Sequence, residues 1–138
     1  MNVEFTDTNI LVYAFGDEPD KRQTASALIT RLDRAGSGAM STQVAAEFCA
    51  VVTRKLKLPA RVSATILEGF AHWRIYCPQL ADIIQAVKLQ ERHRLSFWDS
   101  MMIYSAIQSG AQILWTEDLN DGQRFGDLTV RNPFATTH

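Results

Sequence analysis

Apolar residues recur along the chain in two rhythms, short runs that suit buried strands and longer stretches at helical spacing. Val3 to Thr6 reads as a short strand. It runs through Asp7-Thr8-Asn9 into an apolar segment, Ile10 to Phe15, which Asp17-Glu18-Pro19-Asp20 breaks. From Lys21 to Arg34 the residues Ala25, Leu28, Ile29 and Leu32 mark one face of a helix, closed by Gly36-Ser37-Gly38. A second strand is predicted at Ala39 to Ser41. Ser41 or Thr42 can cap the helix that follows, whose stripe Val44, Phe48, Val51 and Val52 extends toward Leu56 before Pro59.

A further helix is expected from Arg61 to about His72, and a third strand from Trp73 to Cys77, stopped by Pro78. Leu80 to Arg92 forms a helix on Leu80, Ile83, Ile84 and Val87. Ser96 to Ser109 is strongly helical, with Gly110 placed to close it in a left-handed conformation. Ala111 to Trp115 is a buried strand, and Leu128 to Val130 a last one before Asn132-Pro133-Phe134 and a polar tail. Strands alternating with helices imply an α/β fold in three layers, with a short parallel sheet flanked by helices.

Composition narrows the class. The 138 residues fit a single domain, 1–138, and the 46% apolar and 21% charged fractions exclude disordered and disulfide-scaffold chains. Fourteen Lys and Arg against fifteen Asp and Glu leave a net charge of −1, so a nucleic-acid partner would need local basic patches. Cys49 and Cys77 lack metal or redox spacing and read as reduced core residues. His72, His93 and His138 are scattered, and no HExxH, GxSxG, GxxxxGK[ST] or GxGxxG occurs. The longest apolar stretch, Ile10 to Phe15, is too short to span a membrane. Met1-Asn2-Val3-Glu4 lacks the features of a signal peptide, which makes the cytoplasm the expected location.

Four carboxylates stand where propensity does not favour them. Asp7 follows the first strand directly, at the strand end where open α/β sheets place ligands; a helix N-cap is the alternative. Asp118 repeats that position after Ile113-Leu114-Trp115-Thr116. Glu47, three residues after Val44 and four before Val51, falls on the rim of an apolar stripe, where an ion pair with Arg54 is the alternative. Asp99, three residues after Ser96, fits either a capping box or a carboxylate projecting from a buried first turn beside Trp98. Together the four suggest a shared pocket. Like charges about 5 Å apart repel by roughly 3 kcal/mol per pair at an effective dielectric of 20, so the pocket calls for a cation. Oxygen-only ligands select Mg2+ or Mn2+, and phosphoryl transfer is the usual chemistry.

Phe5-Thr6-Asp7-Thr8-Asn9-Ile10-Leu11-Val12-Tyr13, Glu47, Leu95-Ser96-Phe97-Trp98-Asp99 with Ala106, and Leu114-Trp115-Thr116-Glu117-Asp118 together resemble the PIN-domain ribonucleases. Within them the chain is most similar to VapC-type toxins of toxin-antitoxin pairs, from Val3 to Phe134. The resemblance implies a Mg2+- or Mn2+-dependent endoribonuclease acting on tRNA or ribosomal RNA. Asp7, Glu47, Asp99 and Asp118 would be its catalytic metal ligands. It implies that Thr116 lies beside Asp7 and that Asn9 helps to hold the Asp7 carboxylate. Asp121 is a further candidate ligand, equally readable as a turn residue before Gly122. Glu117 is expected to point away. A VapB-type antitoxin and a homodimer paired through a helical face are also implied. Phe97 and Trp98 could anchor the antitoxin, with core packing as their first reading.

For RNA the local basic clusters are Arg54, Lys55, Lys57 and Arg61, then Lys88, Arg92, His93 and Arg94; solvated helix ends explain the same residues. A HAD-like phosphatase also places Asp after its first strand but needs another Asp where this chain has Asn9. A housekeeping PIN nuclease of RNA processing and a non-catalytic PIN-like RNA- or protein-binding module are the remaining alternatives.

Overall fold

A computed structural model of the chain describes residues 2–135. His138 and the end of the polar tail lie outside them. The described residues form six helices and six strands. β1 (Glu4–Thr6) leads into α1 (Thr8–Ala14) and α2 (Pro19–Ala35), and β2 (Gly38–Ser41) into α3 (Thr42–Lys55) and α4 (Ala60–Glu68). Then come β3 (Arg74–Tyr76), α5 (Leu80–His93), α6 (Phe97–Gln108), β4 (Ile113–Trp115), β5 (Arg124–Phe125) and β6 (Leu128–Arg131). The sheet order is β3-β2-β1-β4-β6-β5, parallel throughout except at β5.

The expected α/β architecture therefore stands, with one antiparallel strand the periodicity did not reveal. β5 has two residues, too few to show alternation, and turns back onto β6 through Gly126 at φ +63°. The apolar segment after the first strand is α1. Its Ile10, Leu11, Val12 and Ala14 are all buried, because the helix packs against both α2 and α3. With Phe5, Leu32, Phe48, Ile103, Leu114 and Val130 they form the core around β1 and β4.

The helix expected to reach His72 ends at Glu68. Beyond it a chain of turn hydrogen bonds carries Phe70 and Trp73 into the core, where their rings meet edge to face at 4.9 Å. Trp73 also donates its indole N–H to Asp33 at 2.9 Å and closes over Gly38. Burying two aromatic rings outweighs one more helical turn through Gly69. Cys77 is exposed and Cys49 only half-buried. The core reading of Cys77 is thus corrected, because it follows the last residue pairing edge strand β3 to β2.

α5 is the helix whose apolar stripe lies outside the core. Leu80, Ile83, Ile84 and Val87, the stripe that defines the helix, face solvent, with Leu80 73% exposed. Asp82 and Ala86 are its buried residues. Asp82 closes a capping box with Gln79, accepting the Gln79 N–H at 2.7 Å. Burial, followed by the hydrogen bond to Asp82, pushes the Tyr76 hydroxyl up to about 12.

Candidate active site

The two central strands end side by side. Thr6 pairs with Trp115, and the Asp7 N–H donates to the Trp115 carbonyl at 3.0 Å, extending the ladder by one residue. Asp7 occupies the N-cap position of α1, yet its side chain makes no capping bond. Its Oδ2 instead accepts the Thr116 hydroxyl at 2.8 Å. Thr116 Oγ1 also accepts the Asp118 N–H at 3.1 Å, and Asn9 Nδ2 donates to Asp118 Oδ2 at 3.2 Å. Asn9 thus holds Asp118 and not, as expected, Asp7.

Asp7 is buried, whereas Asp118 is exposed. Burial, joined by the neighbouring Asp118 carboxylate, pushes the Asp7 carboxyl up to about 7, against lowering by Thr116 and the Thr8 N–H. Asp7 can therefore hold a proton near neutral pH.

The other expected ligands stand differently. Glu47 projects exposed from α3, accepting the Thr8 hydroxyl at 3.4 Å and Gln43 Nε2 at 2.9 Å; no ion pair with Arg54 forms among the described residues. Asp99 lies in the first turn of α6. Ser96 Oγ accepts the Asp99 N–H at 3.1 Å, but the reciprocal bond of a capping box is not made among the described residues. Asp121 accepts the Asn132 N–H at 2.8 Å and so pins the chain after β6. Among the described residues no group of three or more His, Cys, Asp or Glu could hold a metal ion. The structure brings Asp7 and Asp118 together and leaves Glu47 linked to them only through α1. Two facing carboxylates offer oxygen ligands, which suit a hard divalent cation.

A sequence model of the PIN domain family matches residues 5–124, from β1 through all four acids to β5. The chain belongs to the PIN domain family. Its fold is similar to VapC20 of Mycobacterium tuberculosis, a sarcin-ricin-loop-cleaving toxin, at 22% identity and TM-score 0.65, covering 83% of this chain and 91% of that one. A chain of a toxin-antitoxin complex from Klebsiella pneumoniae matches at 18% identity and TM-score 0.68, over 95% and 98% of the two chains. VapBC2 from Rickettsia felis, bound to a DNA fragment from its promoter, matches at 21% and 0.68, over 94% and 98%. No curated protein matches the sequence.

In this PIN domain the basic clusters occupy different places. Arg54, Lys55, Lys57 and Arg61 are exposed where α3 gives way to α4, and Lys55 lines a cleft of about 270 Å³ together with Asn9 and Tyr13. Arg92 and His93 instead line a cavity with Gln112 and Leu128, at the amino ends of β4 and β6. Asp7 and Asp118 lie at the carboxyl ends, so Arg92 and His93 stand at the other end of these strands. Trp98 is 62% exposed, which corrects its core reading, and it meets Phe97 edge to face.

Sequence reasoning missed two ionic groups beside the site. Glu4 is buried in β1, where it accepts both Arg31 nitrogens and the Trp115 indole N–H. Burial pushes its carboxyl up, but Arg31 and Trp115 outweigh that and hold it below the usual range. Glu117 turns away from Asp7 to meet Lys21 at 2.8 Å and the Tyr13 hydroxyl. Its burial is likewise outweighed, here by Lys21 and Tyr13. A lone acid inside an apolar strand was the one local signal for Glu4. Lys21 and Glu117, far apart in the chain, left none. No helix among the described residues is long and apolar enough to cross a membrane.

Proposed function

We propose that this PIN domain, as a single-domain protein, is a VapC-type toxin: a cytoplasmic endoribonuclease that hydrolyses phosphodiester bonds of tRNA or ribosomal RNA and is restrained by a VapB-type antitoxin. The observation that carries this reading is the buried Asp7 carboxyl, fixed by Thr116 and set against Asp118 at the carboxyl ends of the central strands. Asp7 and Asp118 would hold Mg2+ or Mn2+, with Glu47 and Asp99 as the further acids of the site. Such an ion supplies an activated water and neutralises charge on the phosphate.

The chain's own groups do the rest. Thr116 orients Asp7, Asn9 orients Asp118, and the cover over Asp7 keeps bulk water from one side of the pair. The exposed Arg54, Lys55, Lys57 and Arg61 can track an RNA backbone without raising the net charge. Trp98, beside Asp99, offers an apolar anchor for the antitoxin. The solvent-facing stripe of α5 supports a homodimer, since Leu80, Ile83, Ile84 and Val87 form a helical seam with no cover in a single copy.

Purified protein freed of antitoxin is expected to cut RNA internally with Mg2+ or Mn2+, leaving 5′-phosphate and 3′-hydroxyl ends. EDTA or Asp7→Asn abolishes cutting. Cleavage undiminished by EDTA, or cyclic-phosphate ends, overturns the mechanism.

A further inference from the structure

Three residues at the end of β4 make opposite connections. Thr116 and Asp118 face Asp7 and Asn9, whereas Glu117 between them accepts Lys21 Nζ at 2.8 Å and the Tyr13 hydroxyl. Lys21 Nζ also donates to the Tyr13 hydroxyl at 3.1 Å. It sits 4.5 Å from the centre of the Tyr13 ring and 5.0 Å from that of Phe134. Tyr13 and Phe134 meet edge to face at 5.2 Å, so the ammonium is walled by two rings and one carboxylate. Both charged side chains are shielded, Lys21 at 34% and Glu117 at 19% exposed.

Residues 116–118 lie beyond the strand; the Thr116 N–H still donates to the Arg131 carbonyl of β6 at 3.0 Å, whereas the Asp118 N–H bonds to the Thr116 side chain. Past Thr116, side-chain anchors therefore decide the backbone path. On the acid side the anchors are Thr116 and Asn9; on the other, the ammonium of Lys21 and the phenol of Tyr13. Without Lys21, Glu117 would be a partly buried carboxylate short of its cation, and would have to swing toward water. It would also stand as a third negative charge next to Asp118 and Asp7.

We infer that Lys21 is a positioning residue for the acidic pair, holding Glu117 against Tyr13 so that the backbone of residues 116–118 sets the Asp118 carboxylate beside Asp7. This rests on the nuclease reading only for its effect on cleavage. The effect on Asp118 itself is independent of activity.

Two measurements on the full chain test it. In amide hydrogen exchange by NMR without metal, Lys21→Met and Glu117→Gln should each speed exchange at Asp118 about ten-fold or more while the amides of α3 stay protected. In RNA cleavage with Mn2+, Lys21→Met should lower kcat about ten- to a hundred-fold with little change in KM, as misplacement of a reacting group does. Lys21→Arg should recover most of both. In an Asp118→Asn background, Lys21→Met should have no further effect on cleavage, although it still changes the melting temperature. Unchanged Asp118 exchange in both variants overturns the inference, as does a kcat loss that adds fully to that of Asp118→Asn. A wild-type protein that does not cut RNA overturns the nuclease reading, while the exchange result still decides the role of Lys21.

Discussion

Replacing Asp7 by Asn should stabilise the metal-free protein at neutral pH and above, and the gain should disappear in acid. Asp7 is raised from 3.8 to about 7, chiefly by burial and then by the neighbouring Asp118. The folded protein therefore binds this proton more tightly than the unfolded chain. Its contribution to stability is complete below pH 3.8 and is lost as pH rises through about 7. At about 1.4 kcal/mol per pH unit, the shift sets a ceiling of roughly 4 kcal/mol. Sharing of charge with exposed Asp118 lowers that, and a gain of about 1 to 3 kcal/mol at pH 8 is expected. Asn keeps an oxygen for the Thr116 hydroxyl and brings no charge. Urea unfolding in EDTA at pH 5, 6, 7 and 8 reads the difference between wild type and Asp7→Asn, which cancels the titration of groups that do not interact with Asp7. The difference should grow with pH. A constant difference, or a variant that is less stable at pH 8, would refute the account of a desolvated carboxyl facing a second acid.

Asp99→Asn should change stability by less than about 0.5 kcal/mol, because the capping donor is the Asp99 backbone N–H, while RNA cleavage falls by orders of magnitude. Ser96→Ala, which deletes the acceptor, should cost on the order of 1 kcal/mol in the same urea assay; a larger loss for Asp99→Asn than for Ser96→Ala would make Asp99 a structural group. Ile84→Asp should convert a dimer to a folded monomer in sedimentation, with a melting temperature that no longer depends on protein concentration, and a wild-type chain that sediments as a monomer rules out pairing through α5.

Much of the architecture is legible in the sequence because its elements are long and locally consistent. α2 shows both its stripe, Ala25, Leu28, Ile29 and Leu32, and its stop, Gly36 at φ +67°. Asp7 stands out because an acid directly after an apolar strand contradicts local propensity, and Asp118 because it lies three residues past another. The stripe that locates α5 in the sequence faces solvent in the fold. Periodicity shows that a face is to be covered, and it does not distinguish the chain's own core from a surface outside it. Inside, a single buried acid, Asp82, is satisfied by the Gln79 N–H, which no hydrophobic pattern encodes. Glu4 with Arg31, and Glu117 with Lys21, depend on which elements the topology makes neighbours.

The small helix α1 gathers these connections. Asp7 precedes it, Thr8 reaches Glu47 on α3, Asn9 reaches Asp118, and Tyr13 reaches Glu117. Asn9 and Tyr13 are four residues apart, hence on one face, and their targets are consecutive residues after β4. Seven residues are far too few for a helix to persist alone in water. Its form depends on Ile10, Leu11, Val12 and Ala14 packing against α2 and α3, so the same burial that stabilises the fold also places the contacts of Thr8, Asn9 and Tyr13. Core and chemistry are thereby coupled through one short element. Loosening its packing would displace acids on two other elements together, even where no acid is touched.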